Sequence, residues 1–427
     1  MLGPYRLGSV VGVVLLLAAC AHPDAVTPRV STQAPPIPSA VSRVMRRARL
    51  FMDELAGGHF DAQWELLSPE AQRRWPSAQS RTAMLRAKFG AVGVKTYSVG
   101  PPRYPSTWAD REDLSQRSGL WQVPVRVVLN EKLDEPSGVI NDYLSMALYL
   151  TDSGRGNPQI IGEGPASFDA PLILPAGQPT RQSQVPILMY HRVAPYPDPQ
   201  RYASNYAYRL DYGLTVDPAE FAAQVAYLAN NGFVAISLVR LADYLFYGLP
   251  LPPKPVVLTF DDGRESVVQY AVPALQRAHF TAVFGVPTGL MGWRNGTQTY
   301  ISASQAQQLA SEGFWFEDHT SKDDIPLWGL PAEQLQTVAG TTRKVLRDVT
   351  GDPVQFIVYT GLWPYPSAAS SGPAERQVFS ALATMGYIGG LLDTRLASAR
   401  ESSDHLWQLP RIRVNPGEDI STFASLL

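Results

Sequence analysis

The apolar positions change period along the chain, and the changes mark its parts. Val10–Leu17 (VVGVVLLL) is an apolar run broken by one glycine and too short to cross a bilayer as a mature helix. From Val41 the period is helical: Val41, Val44, Met45, Ala48, Met52 and Leu55 share a face, and Gly57-Gly58 ends the stretch. A second helical stretch is predicted from Phe60 to Leu67, stopping near Pro69. Strand-like segments follow at Trp121–Leu129, Tyr143–Leu150 and Gln159–Ile161. Helices followed by a meander of strands predict a small α+β domain over residues 41–167.

Residues 168–185 (FDAPLILPAGQPTRQSQV) read as a linker. Over residues 186–427 strands and helices then alternate. Ile187–Tyr190 is a short apolar strand, and Pro218–Asn230 is a helix with Phe221, Val225 and Leu228 inward. Phe233–Ile236 and Val256–Phe260 are strands, and a helix is predicted from Ser266 to Ala278. Thr281–Val286, Phe314–Phe316, Phe356–Tyr359 and Tyr387–Leu392 continue the series. This alternation predicts an α/β fold, a parallel barrel or sheet, with its chemistry at the C-terminal ends of the strands.

Composition narrows the setting. A net charge of −2 with 17% charged residues provides no field for nucleic acid. Residues 21–40 are rich in Pro, Ser, Thr and Ala without an apolar period, as in a tether. Cys20 is the only cysteine, so a disulfide within the chain, a catalytic thiol elsewhere and a cysteine-based zinc site are excluded. Arg6, the apolar run and Leu17-Ala18-Ala19-Cys20 resemble the signal and lipobox of bacterial lipoproteins over residues 1–20. That resemblance implies lipidation at Cys20 and an anchor on the exported side of a bacterial membrane, in the cell envelope. The layout of residues 41–167 is similar to the cystatin-like, nuclear-transport-factor-2-like fold, which implies a spacer or dimer contact or, less directly, a ligand-holding cone.

The strongest chemical signal is Val256-Val257-Leu258-Thr259-Phe260-Asp261-Asp262-Gly263, a buried strand that delivers two adjacent carboxylates to a turn. Successive strand residues face opposite sides, so one carboxylate is free to hold a metal while the other takes a proton from water. The competing reading is an ordinary Asp-Asp-Gly turn with a helix cap. The surroundings decide between them. Thr259–Gly263 resembles the first motif of the polysaccharide deacetylase family. Val185–Val193 (VPILMYHRV), Ala271–Pro287 and Leu409-Pro410-Arg411-Ile412 resemble its opening strand, the segment after its aspartates and its closing strand, in the poly-N-acetylglucosamine branch.

The resemblance implies a distorted (β/α) barrel and a metal-dependent hydrolase that removes N-acetyl groups from an envelope polysaccharide. It implies Asp261 as general base and Asp262 as a metal ligand. Where the family has His-Ser/Thr-x-x-His, this chain has His319-Thr320-Ser321-Lys322-Asp323. Asp323 therefore stands in place of the second histidine, giving the ligand set Asp262, His319 and Asp323. A second carboxylate draws off more of the metal's charge, and it tilts a site built for Zn²⁺ towards harder ions such as Mn²⁺ or Mg²⁺, with Co²⁺ also accommodated. The third motif is altered too: either Tyr359 or Trp363-Pro364-Tyr365 is the counterpart of the family's sugar-lining aromatic segment. His191, ending the first barrel strand, is the candidate general acid, and Arg411 is expected to contact Asp261 and tune its pKa. The alternative expectation is a catalytically degenerate barrel that binds glycan.

Overall fold

The computed structural model describes residues 38–89, 93–111, 114–129, 143–154, 156–165, 181–202, 204–248, 250–295, 298–322, 325–360, 373–393 and 403–427. Ile37–Leu427 form one compact unit built on two sheets. The first sheet is fronted by helices α1 (Pro38–Ala56), α2 (Pro69–Gln72) and α3 (Ala78–Phe89). Its strands are β1 (Val94–Val99), β2 (Arg103–Ala109), β3 (Gln116–Leu129), β4 (Tyr143–Thr151) and β5 (Gln159–Pro165). All pairings are antiparallel; β3 takes β1 and β2 along one edge and β4 along the other, with β5 beyond β4. The helical period of α1 buries Val44, Ala48, Phe51, Met52 and Leu55 against Val123, Val125 and Val127 of β3.

One expectation fails here. The stretch Phe60–Leu67 holds only a 3₁₀ turn, Ala62–Leu66, and Pro69 starts a helix instead of stopping one. Ser68 caps α2 by accepting a hydrogen bond from the Ala71 amide at 3.1 Å, and Pro69 supplies the pre-set first turn.

The second part begins with β6 (Ile187–Tyr190), β7 (Arg192–Val193), α4 (Asn205–Gly213), β8 (Thr215–Val216), α5 (Pro218–Asn230), β9 (Val234–Ala235) and α6 (Leu238–Tyr247). It continues with β10 (Pro255–Phe260), α7 (Glu265–Tyr270), α8 (Val272–Ala278), β11 (Val283–Val286), β12 (Arg294–Asn295), β13 (Gln298–Thr299) and α9 (Ala303–Ser311). It closes with β14 (Trp315–Asp318), α10 (Ala332–Leu335), α11 (Thr341–Thr350), β15 (Phe356–Val358), α12 (Pro373–Thr384), β16 (Gly389–Leu391) and β17 (Ile412–Arg413). The main sheet runs β16-β15-β14-β11-β10-β6-β17, parallel throughout, with β9 added to β10. It curls until its edges meet in an isolated parallel bridge between Leu391 and Leu409, which makes a distorted (β/α) barrel. The helix predicted from Ser266 to Ala278 is broken in two at Ala271, because Pro273 has no N–H to continue it.

Register is held by a ladder of aromatic rings. Tyr190, Phe260, Phe284 and Phe316 are direct neighbours on β6, β10, β11 and β14. Their rings stack in sequence with centroids 5.4, 5.5 and 5.3 Å apart. Because the ladder faces the helices, the next residue on each strand faces the barrel axis. Those residues are His191, Asp261, Gly285 and Glu317.

Candidate active site

The carboxylates stand where β10 ends. The Asp261 amide donates to Tyr190 O at 2.9 Å, carrying the β10–β6 pairing one residue past the strand. Asp262 then takes φ 67° and Gly263 φ 59°. A non-glycine residue in the left-handed region costs of order 1 kcal/mol, and that turn swings the second carboxylate away from the first. A Cβ at Gly263 would also press on Val286 and Pro287 at 3.3 Å.

Arg411 grips Asp261 with both arms: Nη1 donates to Oδ1 and Nη2 to Oδ2, each at 2.7 Å. Nη1 also donates to Thr259 Oγ1 at 3.2 Å, and Nε to Leu392 O at 2.8 Å. Burial works to raise the Asp261 carboxyl, but Arg411, with His319 and His191, holds it below its usual value. Asp261 is therefore a fixed anion, oriented by a planar fork.

His319 follows β14 directly, and Thr320 after it takes φ 64°. Nδ1 of His319 lies 2.7 Å from Val358 O of β15. A carbonyl only accepts, so Nδ1 carries a proton, and when the ring is neutral Nε2 is the nitrogen that holds the lone pair. That Nε2 is 3.6 Å from Asp262 Oδ1. The other oxygen of Asp262, Oδ2, is 3.4 Å from Arg264. Burial would lower the His319 pKa, yet Asp262 and Asp261 raise it to about 9. Asp262 is displaced downward: burial opposes ionisation, and His319, His191 and Arg264 overcome it.

His191 is half-buried at the end of β6. Burial lowers its pKa, the carboxylates of Asp262 and Asp261 pull it up, Arg413 and Arg411 push it down, and the net shift is downward. It is neutral at neutral pH, ready to accept a proton before it donates one. Tyr359 follows β15 but is only 2% exposed, its ring 5.3 Å from that of Trp328. Burial raises its pKa. Asp323, Trp363, Tyr365 and Cys20 lie outside the described residues.

The structure thus brings together Asp261, Asp262, His319, His191 and Arg411. It adds Arg264, whose guanidinium lies 4.3 Å from the Tyr300 ring centroid, and the carbonyl of Val358. Arg264 follows the Asp-Asp-Gly turn, and that position was the available clue. The carbonyl had no side-chain signal at all.

Asp262 and His319 fit one edge of a divalent metal: an ionised carboxylate oxygen and an imidazole nitrogen 3.6 Å apart, the latter with its tautomer set by a backbone bond. Among the described residues no group of three or more His, Cys, Asp or Glu is arranged to hold a metal ion by itself. A cavity of about 350 Å³ lies elsewhere, between the two sheets, walled by Trp75, Trp108, Ile161, Val239 and Trp315. The charged residues along its wall include paired ones: Arg74 with Asp110, and Arg81 with Glu163. It holds none of the convergent carboxylates and imidazoles found at the strand ends.

Comparison with known proteins covers the same part of the chain. Residues 248–371 match the family model described as polysaccharide deacetylase. Over 247 residues the chain is 25% identical to YxkH of Bacillus subtilis (strain 168), a polysaccharide deacetylase by assignment, covering 58% of this chain and 77% of that one. Over 76 residues, 18% of this chain, it is 37% identical to the poly-beta-1,6-N-acetyl-D-glucosamine N-deacetylase of Escherichia coli (strain K12), of which that stretch spans 11%. Among solved structures, the deacetylase PplD of Streptococcus pyogenes in complex with acetate aligns with 58% of this chain and 99% of its own, at 22% identity and a TM-score of 0.47.

Proposed function

The chain carries a domain of the polysaccharide deacetylase family, and from that premise we propose that it is a metal-dependent hydrolase removing N-acetyl groups from an amino-sugar polysaccharide of the cell envelope. The observation that carries the reading is the pair of adjacent carboxylates with divided roles. Asp261 is clamped by Arg411, while Asp262 is turned towards His319. The comparisons do not favour a catalytically degenerate, glycan-binding barrel.

Asp262 and His319 would hold the metal, with the further ligand drawn from Asp323 or solvent. A divalent ion there supplies Lewis-acid polarisation of the acetyl carbonyl and lowers the pKa of water. The remaining work belongs to the chain. Arg411 keeps Asp261 ionised and fixed, so that the carboxylate accepts the proton of the attacking water. Neutral His191, electrostatically linked to both carboxylates, relays a proton to the leaving amine. Water oxygen bonds to the acetyl carbon, the carbon–nitrogen bond breaks, and acetate and a free amine leave.

The target would be an N-acetylglucosamine polymer or peptidoglycan, and the leader with Cys20 would place the enzyme on the exported side of a bacterial membrane through a lipid anchor. The test is acetate release from chitooligosaccharides and from peptidoglycan, comparing the wild-type chain with Asp261→Asn. Release abolished by that substitution supports the hydrolase. Release untouched by it removes Asp261 from the mechanism, and no release from any acetylated glycan refutes the proposal.

A further inference from the structure

The loop between β2 and β3 belongs to the first sheet, yet it is built into the barrel. Leu114, at φ 55°, lies in the hydrophobic core that β6, β10 and β14 share with their helices. Gly313, at φ 103°, makes room for it: a Cβ there would come within 2.7 Å of Leu114 Cδ2 and 3.0 Å of Asp110 O. From the same loop Arg111 reaches the entry to β14. Its Nη1 donates to Asp352 Oδ1 at 2.6 Å and its Nη2 to Phe314 O. Its guanidinium sits 3.7 Å from the Trp315 ring centroid. The second oxygen of Asp352 accepts from the Phe316 amide at 2.8 Å. Arg111 is buried in this position.

This clamp lies at a weak seam of the barrel. β14 pairs with β11 over four residues and β15 with β16 over three, but β14 meets β15 only at Asp318 and Ile357. Side chains fill the gap: Asp352 takes the Phe316 amide, and Glu317 Oε2 takes the Phe356 amide at 2.8 Å. The third of these bonds is functional, because His319 spans the same seam from Nδ1 to Val358 O. The offset between β14 and β15 decides whether that bond forms. Backbone pairing scarcely fixes the offset, and the Arg111–Asp352 clamp fixes it at the other end of the strand.

We infer that Arg111, carried by the α+β part of the chain, is a positioning residue for His319: by clamping Asp352 and Phe314 it sets the register of β14 against β15. The first sheet is then a working part of the catalytic unit. The inference rests on the reading of His319 as a ligand, but His319 geometry is measurable without metal or substrate.

The test uses the full chain as wild type, Arg111→Ala, Arg111→Lys and Leu228→Ala. The last truncates a buried core residue of α5, a helix that packs on α8 and the C-terminal segment Ile420–Ala424 and takes no part in the hydrogen bonds of the seam. Nitrogen-15 NMR of the metal-free proteins follows the protected Nδ1–H of His319, assigned by its loss in His319→Gln. Zinc affinity and the separation of kcat from KM on chitooligosaccharides follow. Arg111→Ala is expected to lose the protected proton, to bind zinc about tenfold or more weakly, and to lose kcat at unchanged KM. Arg111→Lys keeps the charge on Asp352 but not the fork, and is expected to fall between Arg111→Ala and wild type. Leu228→Ala is expected to lose stability and to keep the His319 signal. A His319 proton and zinc affinity unchanged in Arg111→Ala overturn the inference. If wild type binds no zinc and releases no acetate, the hydrolase reading fails, while the NMR comparison still decides the role of Arg111.

Discussion

Asp261 and Arg411 are both buried, and their two parallel hydrogen bonds make each the condition for the other's charge. Removing one partner of such a pair strands the other, at a cost of about 3–5 kcal/mol. Arg411→Met is therefore expected to lower unfolding stability by that order in a denaturant titration, and Asp261→Asn/Arg411→Met to recover much of it. Because the folded-state pKa of Asp261 is depressed, its contribution is present above the unfolded value of about 4 and is lost as pH falls through the folded value. The double variant should lack that acid-side loss. Asp318, beside His319, has the opposite sign. Burial raises its carboxyl to about 7 against the hydrogen bonds from Tyr387 and Thr342. Its contribution is full below about 4 and fades as pH rises through about 7, so Asp318→Asn is expected to flatten the stability profile between those limits. Thermal unfolding across that range, compared with wild type, checks it.

At the scale of elements, the aromatic ladder does what the weak ladder of β14 and β15 does not. It aligns β6, β10, β11 and β14 so that their next residues stand level on the barrel axis. Phe284, flanked by rings on both sides, is its centre, and Phe284→Ala is expected to cost about 3–5 kcal/mol, read from the denaturation midpoint. Gly285→Ala tests the axis side. Its Cβ would meet Val358 Cγ2 at 3.2 Å and Asp261 Oδ1 at 3.4 Å. The expected result is a fall in kcat larger than any fall in stability.

At the scale of the whole molecule, what was legible in the sequence was whatever a single segment states by itself. The apolar run before Asp261-Asp262 announces a strand buried on both faces, and the structure buries Val256–Phe260 fully. The period of α1 and the span of α5, Pro218–Asn230 with Phe221, Val225 and Leu228 inward, were equally local. Short or evenly mixed segments were not legible: β1, β2 and α3 carry no clear period, whereas α6 and α11 have a helical apolar period that no expectation used. Nor were pairings across distance. Arg111 and Asp352 stand 241 residues apart, and the His319–Val358 bond uses a backbone carbonyl. Pro69 and Pro273 mark opposite events, the start of one helix and the division of another, because a proline's effect depends on whether a helix precedes it.

The account centres on one edge of one site, Asp262 with His319, serving Asp261. The most direct measurement strips the purified chain with a chelator and follows acetate release as zinc is returned, in wild type, Asp262→Asn and His319→Gln. Recovery in wild type, with no recovery in either variant at matched stability, is the predicted result. Full activity after stripping, or equal recovery in the variants, would contradict it.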